Sequence, residues 1–202
     1  MPETCDGSEP LSPWGVGASA GWFDTEIVFD RDVSMQALTT MALVAYQPSP
    51  TLGAAVGLGA VVDGTIAGGD ISPGPAASGS ISLLALRETE RRPFVLAGLS
   101  VSASRASARS TDGEEHTLTA MDLRLGISSG KTFGWITPYA AARGFAGPVG
   151  WHLDGEAATG SDAHHYTVGA GAVMRAGRRL ELSVEVMPLG ERSGTAAASV
   201  AL

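Results

Sequence analysis

The chain has one cysteine, Cys5, in 202 residues, which excludes an internal disulfide and any multi-cysteine metal centre. No apolar run approaches the roughly 18 residues that a membrane-crossing helix needs. Cations are scarce, with 13 Lys and Arg against 21 Asp and Glu and a formal charge of −8. Nucleic acid is therefore not an expected partner, because phosphate contacts need a basic face. Motifs are missing too. GLGAVVDG lacks the Lys-Ser/Thr of a phosphate loop, FDTEIVFDRD lacks the ligand spacing of a calcium loop, and no G-x-S-x-G occurs. Residues 1–13, MPETCDGSEPLSP, contain no apolar leader segment and read as a flexible N-terminal segment with Cys5 as a free thiol.

What the sequence has in abundance is glycine, 27 residues, and period-two alternation. In WGVGASAGW, Trp14, Val16, Ala18, Ala20 and Trp22 share one parity, while Gly15, Gly17, Ser19 and Gly21 share the other. Side chains alternate across a strand, so this is an extended segment with one apolar and one nearly bare face. The pattern recurs at 35–46, 51–62, 80–87, 94–107, 116–128, 135–153, 166–175, 180–187 and 195–202, which gives ten candidate strands and no convincing helix. In 51–62, Leu52 through Val62 on even positions form the apolar face.

The connections alternate between short (QPSPT, RETERRP, SGKTFG, RAGRR) and longer ones at 24–34, 63–79, 109–115 and 154–165, with a tight final link at 190–194. Charge sorts with them. Arg87, Arg91, Arg92, Lys131, Arg175, Arg178 and Arg179 stand at the short turns, whereas Asp24, Glu26, Asp32, Asp63, Asp70 and Glu114 stand in the long connections. A molecule whose two ends meet different solvents can polarise its charge in this way.

Alternation alone also fits a soluble β-sandwich, so three further features separate the possibilities. The non-apolar face is Gly and Ser rather than long charged chains, as a narrow lumen requires. The charges inside strands, Asp122, Arg124, Arg143, Glu181 and Glu185, share that inner parity and form a candidate lumen charge network. Aromatics gather at strand ends, with Trp14, Trp22, Tyr46, Trp135, Trp151 and Tyr166 as candidate membrane-interface residues. From Trp14 to Trp22, eight rises of ~3.3 Å at a tilt near 40° span roughly 20 Å, close to the apolar band of a barrel.

The sequence therefore predicts an all-β protein with one domain at 14–202. It is a closed antiparallel transmembrane β-barrel of about ten strands, eight being possible, with the Trp14–Trp22 apolar face turned to lipid. The chain resembles the small outer-membrane β-barrel proteins of Gram-negative bacteria over nearly its whole length. That resemblance implies a bacterial outer-membrane location with both termini periplasmic, porin-like architecture, and outer-membrane lipids and lipopolysaccharide as partners. One departure is the final residue, Leu202, where such families usually end in Phe or Trp.

The densest polar stretch is WHLDGEAATGSDAHHY, 151–166, with His152, Asp154, Glu156, Asp162, His164 and His165. Outer-membrane proteases of the omptin type carry paired aspartates and an Asp–His couple at the rim, the nearest enzymatic analogy. Here the order is reversed and a second aspartate pair is not evident, so a hydrated hairpin loop is the favoured reading. The expected function is structural, surface-interacting or narrow-pore, without catalytic residues, cofactor or metal. A protein partner on either side of the membrane remains unidentified by sequence. The alternatives are a rim hydrolase using the His152/Asp154 region and a soluble β-sandwich binding module.

Overall fold

The computed structural model describes residues 12–29, 32–109, 115–153 and 156–202. Its strands are β1 (Trp14–Val28), β2 (Asp32–Ser49), β3 (Leu52–Ile66), β4 (Gly69–Ser72), β5 (Gly74–Leu86), β6 (Phe94–Arg109), β7 (Glu115–Gly130), β8 (Ile136–Ala146), β9 (Pro148–Leu153), β10 (Glu156–Asp162), β11 (Tyr166–Ala176), β12 (Leu180–Gly190) and β13 (Arg192–Ala201). All pairings are antiparallel, and β13 returns to β1 through a register from Gly15 opposite Ala201 to Asp24 opposite Arg192. The lower ring is thus a closed barrel of ten strands: β1, β2, β3, β5, β6, β7, β8, β11, β12 and β13.

The ring closes a second time, higher up, with eight strands. There β4 takes the place of β5 between β3 and β6, β9 prolongs β8, and β10 prolongs β11. The β12–β13 hairpin stops at residues 190–192, so β10 passes over it and pairs with β1, Asp162 opposite Ile27 and Ser161 opposite Val28. The barrel tapers because one hairpin is shorter than its neighbours.

Polarity inverts along the same axis. In the lower part the outer parity is apolar and open: Val56, Leu58, Leu125, Ile127 and Val186 are exposed, while the inner parity carries Gly, Ser and the charged side chains. An exposed apolar wall of this extent has lipid as its natural solvent. Above it the outer face turns polar, with Glu26, Asp32, Ser34, Gln36, Asp63, Thr65 and Asp70 exposed. Inside, Ile27, Met35, Ala37, Val61, Ile66, Ile71, Ala106, Ala108 and Leu118 form a buried apolar cluster, with Phe23, Phe29, Val33 and Val149 packed against it. The 18 residues of β2 rise roughly 45 Å at a tilt near 40°, well beyond an apolar band of about 25 Å. The upper barrel is therefore built like a water-soluble one.

This corrects the expected long connections. Most of residues 24–34, 63–79 and 154–165 are strand, not loop. The apolar residues change parity as the surroundings change from lipid to water, so a search for one constant apolar face ends each strand too early. In β3 a bulge assists the change: Thr39 pairs with Val61 and Leu38 with Asp63, leaving Val62 unpaired, so that beyond Val61 the inner parity passes to Gly64 and Ile66 while Asp63 and Thr65 turn outward.

Candidate functional site

The inner wall carries three polar groups stacked along the axis. In the lower lumen, Tyr139 on β8 donates its hydroxyl to Glu185 Oε2 at 3.1 Å, and Arg143 Nη2 donates to the same oxygen at 2.6 Å. Glu185 comes from β12, so this group ties β8 to β12 across the intervening β11. Gly171 of β11 lies between them, and a Cβ there would stand 2.6 Å from the Tyr139 hydroxyl. Gly126 makes the same room for Arg143, whose Cγ would lie 2.8 Å from an added Cβ. These two glycines of the bare face are thus seats for long side chains from adjacent strands. Gly57, beside Leu43, and Gly169, beside Met187, follow the same logic at 2.7 Å.

In mid-lumen, Arg124 on β7 donates to both carboxylate oxygens of Glu191, Nη1 to Oε1 at 2.8 Å and Nη2 to Oε2 at 3.0 Å. Its Nε donates to Asp122 Oδ2, and its guanidinium lies 4.7 Å from the Phe145 ring centroid. Phe145 is the register partner of Arg124, which fixes that stacking. Glu191 is buried at 4% exposure at the tip of the β12–β13 hairpin, and Thr167 Oγ1 donates to its carbonyl at 3.1 Å. At the upper level, Thr25 Oγ1 donates to Asp162 Oδ2 at 2.6 Å, and the His164 backbone N–H donates to Asp162 Oδ1 at 2.8 Å.

The five charges grouped from sequence therefore do not make one network. Arg143 and Glu185 form one cluster and Asp122 and Arg124 another. Glu181 belongs to neither: it accepts from Arg175 Nε at 2.8 Å at the short-turn rim, where both side chains are well exposed. Residue 181 has the inner parity but lies at the strand's end, where the lumen opens to solvent. Glu191 was missed because residues 190–194 read as a turn. Counting on from Glu181, Glu185 and Met187 on the inner parity of β12 reaches 191, the only signal the sequence offered.

The polar stretch 151–166 is not one constellation. β9 and β10 form a hairpin with His152 opposite Ala157 and Glu156 opposite Leu153 near its tip. Asp162 is at its base, six rises from Glu156, or roughly 20 Å. His164 and His165 follow β10, and the His164 ring lies 6.4 Å from that of Tyr166. Asp154 lies outside the described residues, as do the side chains of His152 and Glu156. Among the aromatics, Trp14 and Tyr46 are register partners with ring centroids 4.5 Å apart at the lower edge of the apolar band. Trp22 marks the upper edge and rests beside Gly194, where a Cβ would stand 2.5 Å from the indole nitrogen. Trp135 is exposed in the β7–β8 turn, and Tyr166 is exposed at the upper end of β11. Trp151 stands opposite Leu118 in the β7–β9 register, and its side chain lies outside the described residues.

Between the upper apolar cluster and the mid-lumen charges lies a cavity of about 290 Å³. Phe23, Met35 and Leu118 contribute to its apolar walls, and Asp122, Arg124, Asp162 and Glu191 supply its charged groups.

No protein-family model matches the chain, and no curated protein matches it. Solved structures do. The outer membrane protease OmpT from Escherichia coli aligns with a TM-score of 0.54 at 10% identity, covering 96% of this chain and 99% of that one. The translocator domain of the autotransporter NalP from Neisseria meningitidis aligns with a TM-score of 0.53 at 12% identity, covering 96% and 90%. The chain has the fold of a bacterial outer-membrane β-barrel.

Proposed function

We propose that the chain is a bacterial outer-membrane barrel with a shut lumen, acting through its wall and its outer surface as a structural or surface-interacting protein. The observation that carries this reading is the apolar cluster in the upper barrel, where Ile27, Ile66 and Ala108 are at most 2% exposed. An ion path through that layer would have to cross a belt of apolar side chains at high cost. The Arg124–Glu191 and Asp122 pairing beneath it adds a second occlusion. In this reading the short, Arg-rich turns and both termini lie on the periplasmic side. The acidic upper barrel lies outside, among lipopolysaccharide phosphates bridged to it by divalent cations.

Planar-bilayer recording of the full chain, refolded in detergent, tests the proposal. The expected result is no stepwise conductance. Discrete steps whose size changes in Arg124→Gln would replace this reading with that of a narrow pore.

A further inference from the structure

We propose that the mid-lumen cavity is a binding site for a small, singly charged organic cation with an apolar body, an arylalkylamine in chemical class. Size comes first. An apolar cavity of about 150 Å³ holds a benzene ring, so the 290 Å³ present here accommodates a ring and a short chain. The cavity also joins two environments, apolar side chains above and charged ones below, which suits a molecule with one apolar and one polar end.

The sign of the charge follows from the lining. Three carboxylates, Asp122, Asp162 and Glu191, face the cavity against one guanidinium, Arg124, leaving two negative charges in excess. Such an enclosure favours a cation and disfavours an anion. The carboxylates are not equivalent. Both oxygens of Glu191 accept from Arg124, and both oxygens of Asp162 accept from Thr25 and His164. Asp122 gives only Oδ2 to Arg124, while its Oδ1 is buried and accepts no hydrogen bond among the described residues. Asp122 is thus the lining carboxylate least committed to the chain's own donors, so an ammonium group in the cavity pairs with it at the smallest loss of existing hydrogen bonds. The site requires the closed barrel but not the absence of conductance, so the bilayer recording and the following titration fail independently.

The test is calorimetric titration of the full chain, folded in detergent, with 2-phenylethylamine and with phenylacetate as a near-isosteric anion. The expected result is saturable one-to-one binding of the amine and at least tenfold weaker binding of the anion. Asp122→Asn should weaken the amine about tenfold. Ala120→Phe, which fills the cavity from β7, should abolish binding while the unboiled protein keeps its compact gel mobility. If that variant does not fold, Ser104→Leu fills the space from β6 with less added bulk. Equal uptake by wild type and a folded cavity-filled variant would mean partition into detergent, and would overturn the site. So would equal affinity for amine and anion, or no heat beyond dilution, which would mean that water alone satisfies Asp122.

Discussion

Arg124 and Glu191, 67 residues apart in sequence, face each other in mid-lumen through two hydrogen bonds of 2.8 and 3.0 Å. The pair fixes the tip of the shortest upper hairpin to the opposite wall of the barrel. It therefore holds in place the point where ten strands become eight. Removing one partner strands a charge in a site where Glu191 is 5% exposed by side chain. Glu191→Ala should lower the unfolding free energy by about 3 kcal/mol, the low end for a broken buried pair because Asp122 still holds Arg124. Urea titration followed by the gel shift between folded and unfolded forms would read it. An unchanged midpoint would show that the hairpin tip is not held by this contact.

Gly190 makes that tip possible. Its φ is +79°, and an added Cβ would lie 1.9 Å from the Tyr166 carbonyl oxygen. Gly190→Ala combines left-handed strain with a clash against backbone, and is expected to cost about 3 kcal/mol or more. Gly79, a barrel glycine with nothing within 4 Å of its added Cβ, provides the control. Gly79→Ala should leave the urea midpoint nearly unchanged.

The inversion of polarity along the wall is testable with one charge at two heights. Leu125 lies in the apolar band at 65% exposure, and Thr65 is exposed on the outer face of the upper barrel opposite Gln36 and Asp70. Leu125→Arg should cost about 2–4 kcal/mol in lipid, against less than about 0.5 kcal/mol for Thr65→Arg. Folding titrations in lipid vesicles compare them directly. Equal small costs would mean that Leu125 does not face lipid.

At the opposite end, Glu88 of the β5–β6 connection clasps the β7–β8 turn. Its Oε1 accepts from the Thr132 N–H and its Oε2 from the Thr132 hydroxyl, both at 2.9 Å. The backbone hydrogen bond, followed by the hydroxyl, holds the Glu88 carboxyl below its ordinary value. A carboxyl depressed in the folded state adds stability above its unfolded pKa and loses it as pH falls through the folded one. Wild type should therefore exceed Glu88→Gln in urea midpoint at pH 7, and the gap should shrink below the carboxylate range. A gap independent of pH would assign the difference to shape rather than charge.

Much of the lower barrel was legible because its rule is local. A lipid-facing strand must be apolar at every second residue, so Trp14 to Trp22 announces its own orientation, and ten such rows announce a ring. The inner parity of Arg124, Arg143 and Glu185 follows from the same count. The upper barrel was hidden because its rule is reversed: at Phe23, Thr25 and Ile27 the inner parity becomes the apolar one, and nothing within β1 marks where lipid gives way to water. Which charges meet was also beyond the sequence. Glu181 and Glu185 share a parity and differ only in height, yet one ends at the rim with Arg175 and the other in the lumen with Arg143 and Tyr139. The Arg124–Glu191 contact depends on the register of every strand between β7 and β13, on Gly190 turning left-handed, and on β10 closing over the tip. Alternation determined which face each lower strand side chain occupies. Only ring closure, which sums all the registers, decided which of them touch.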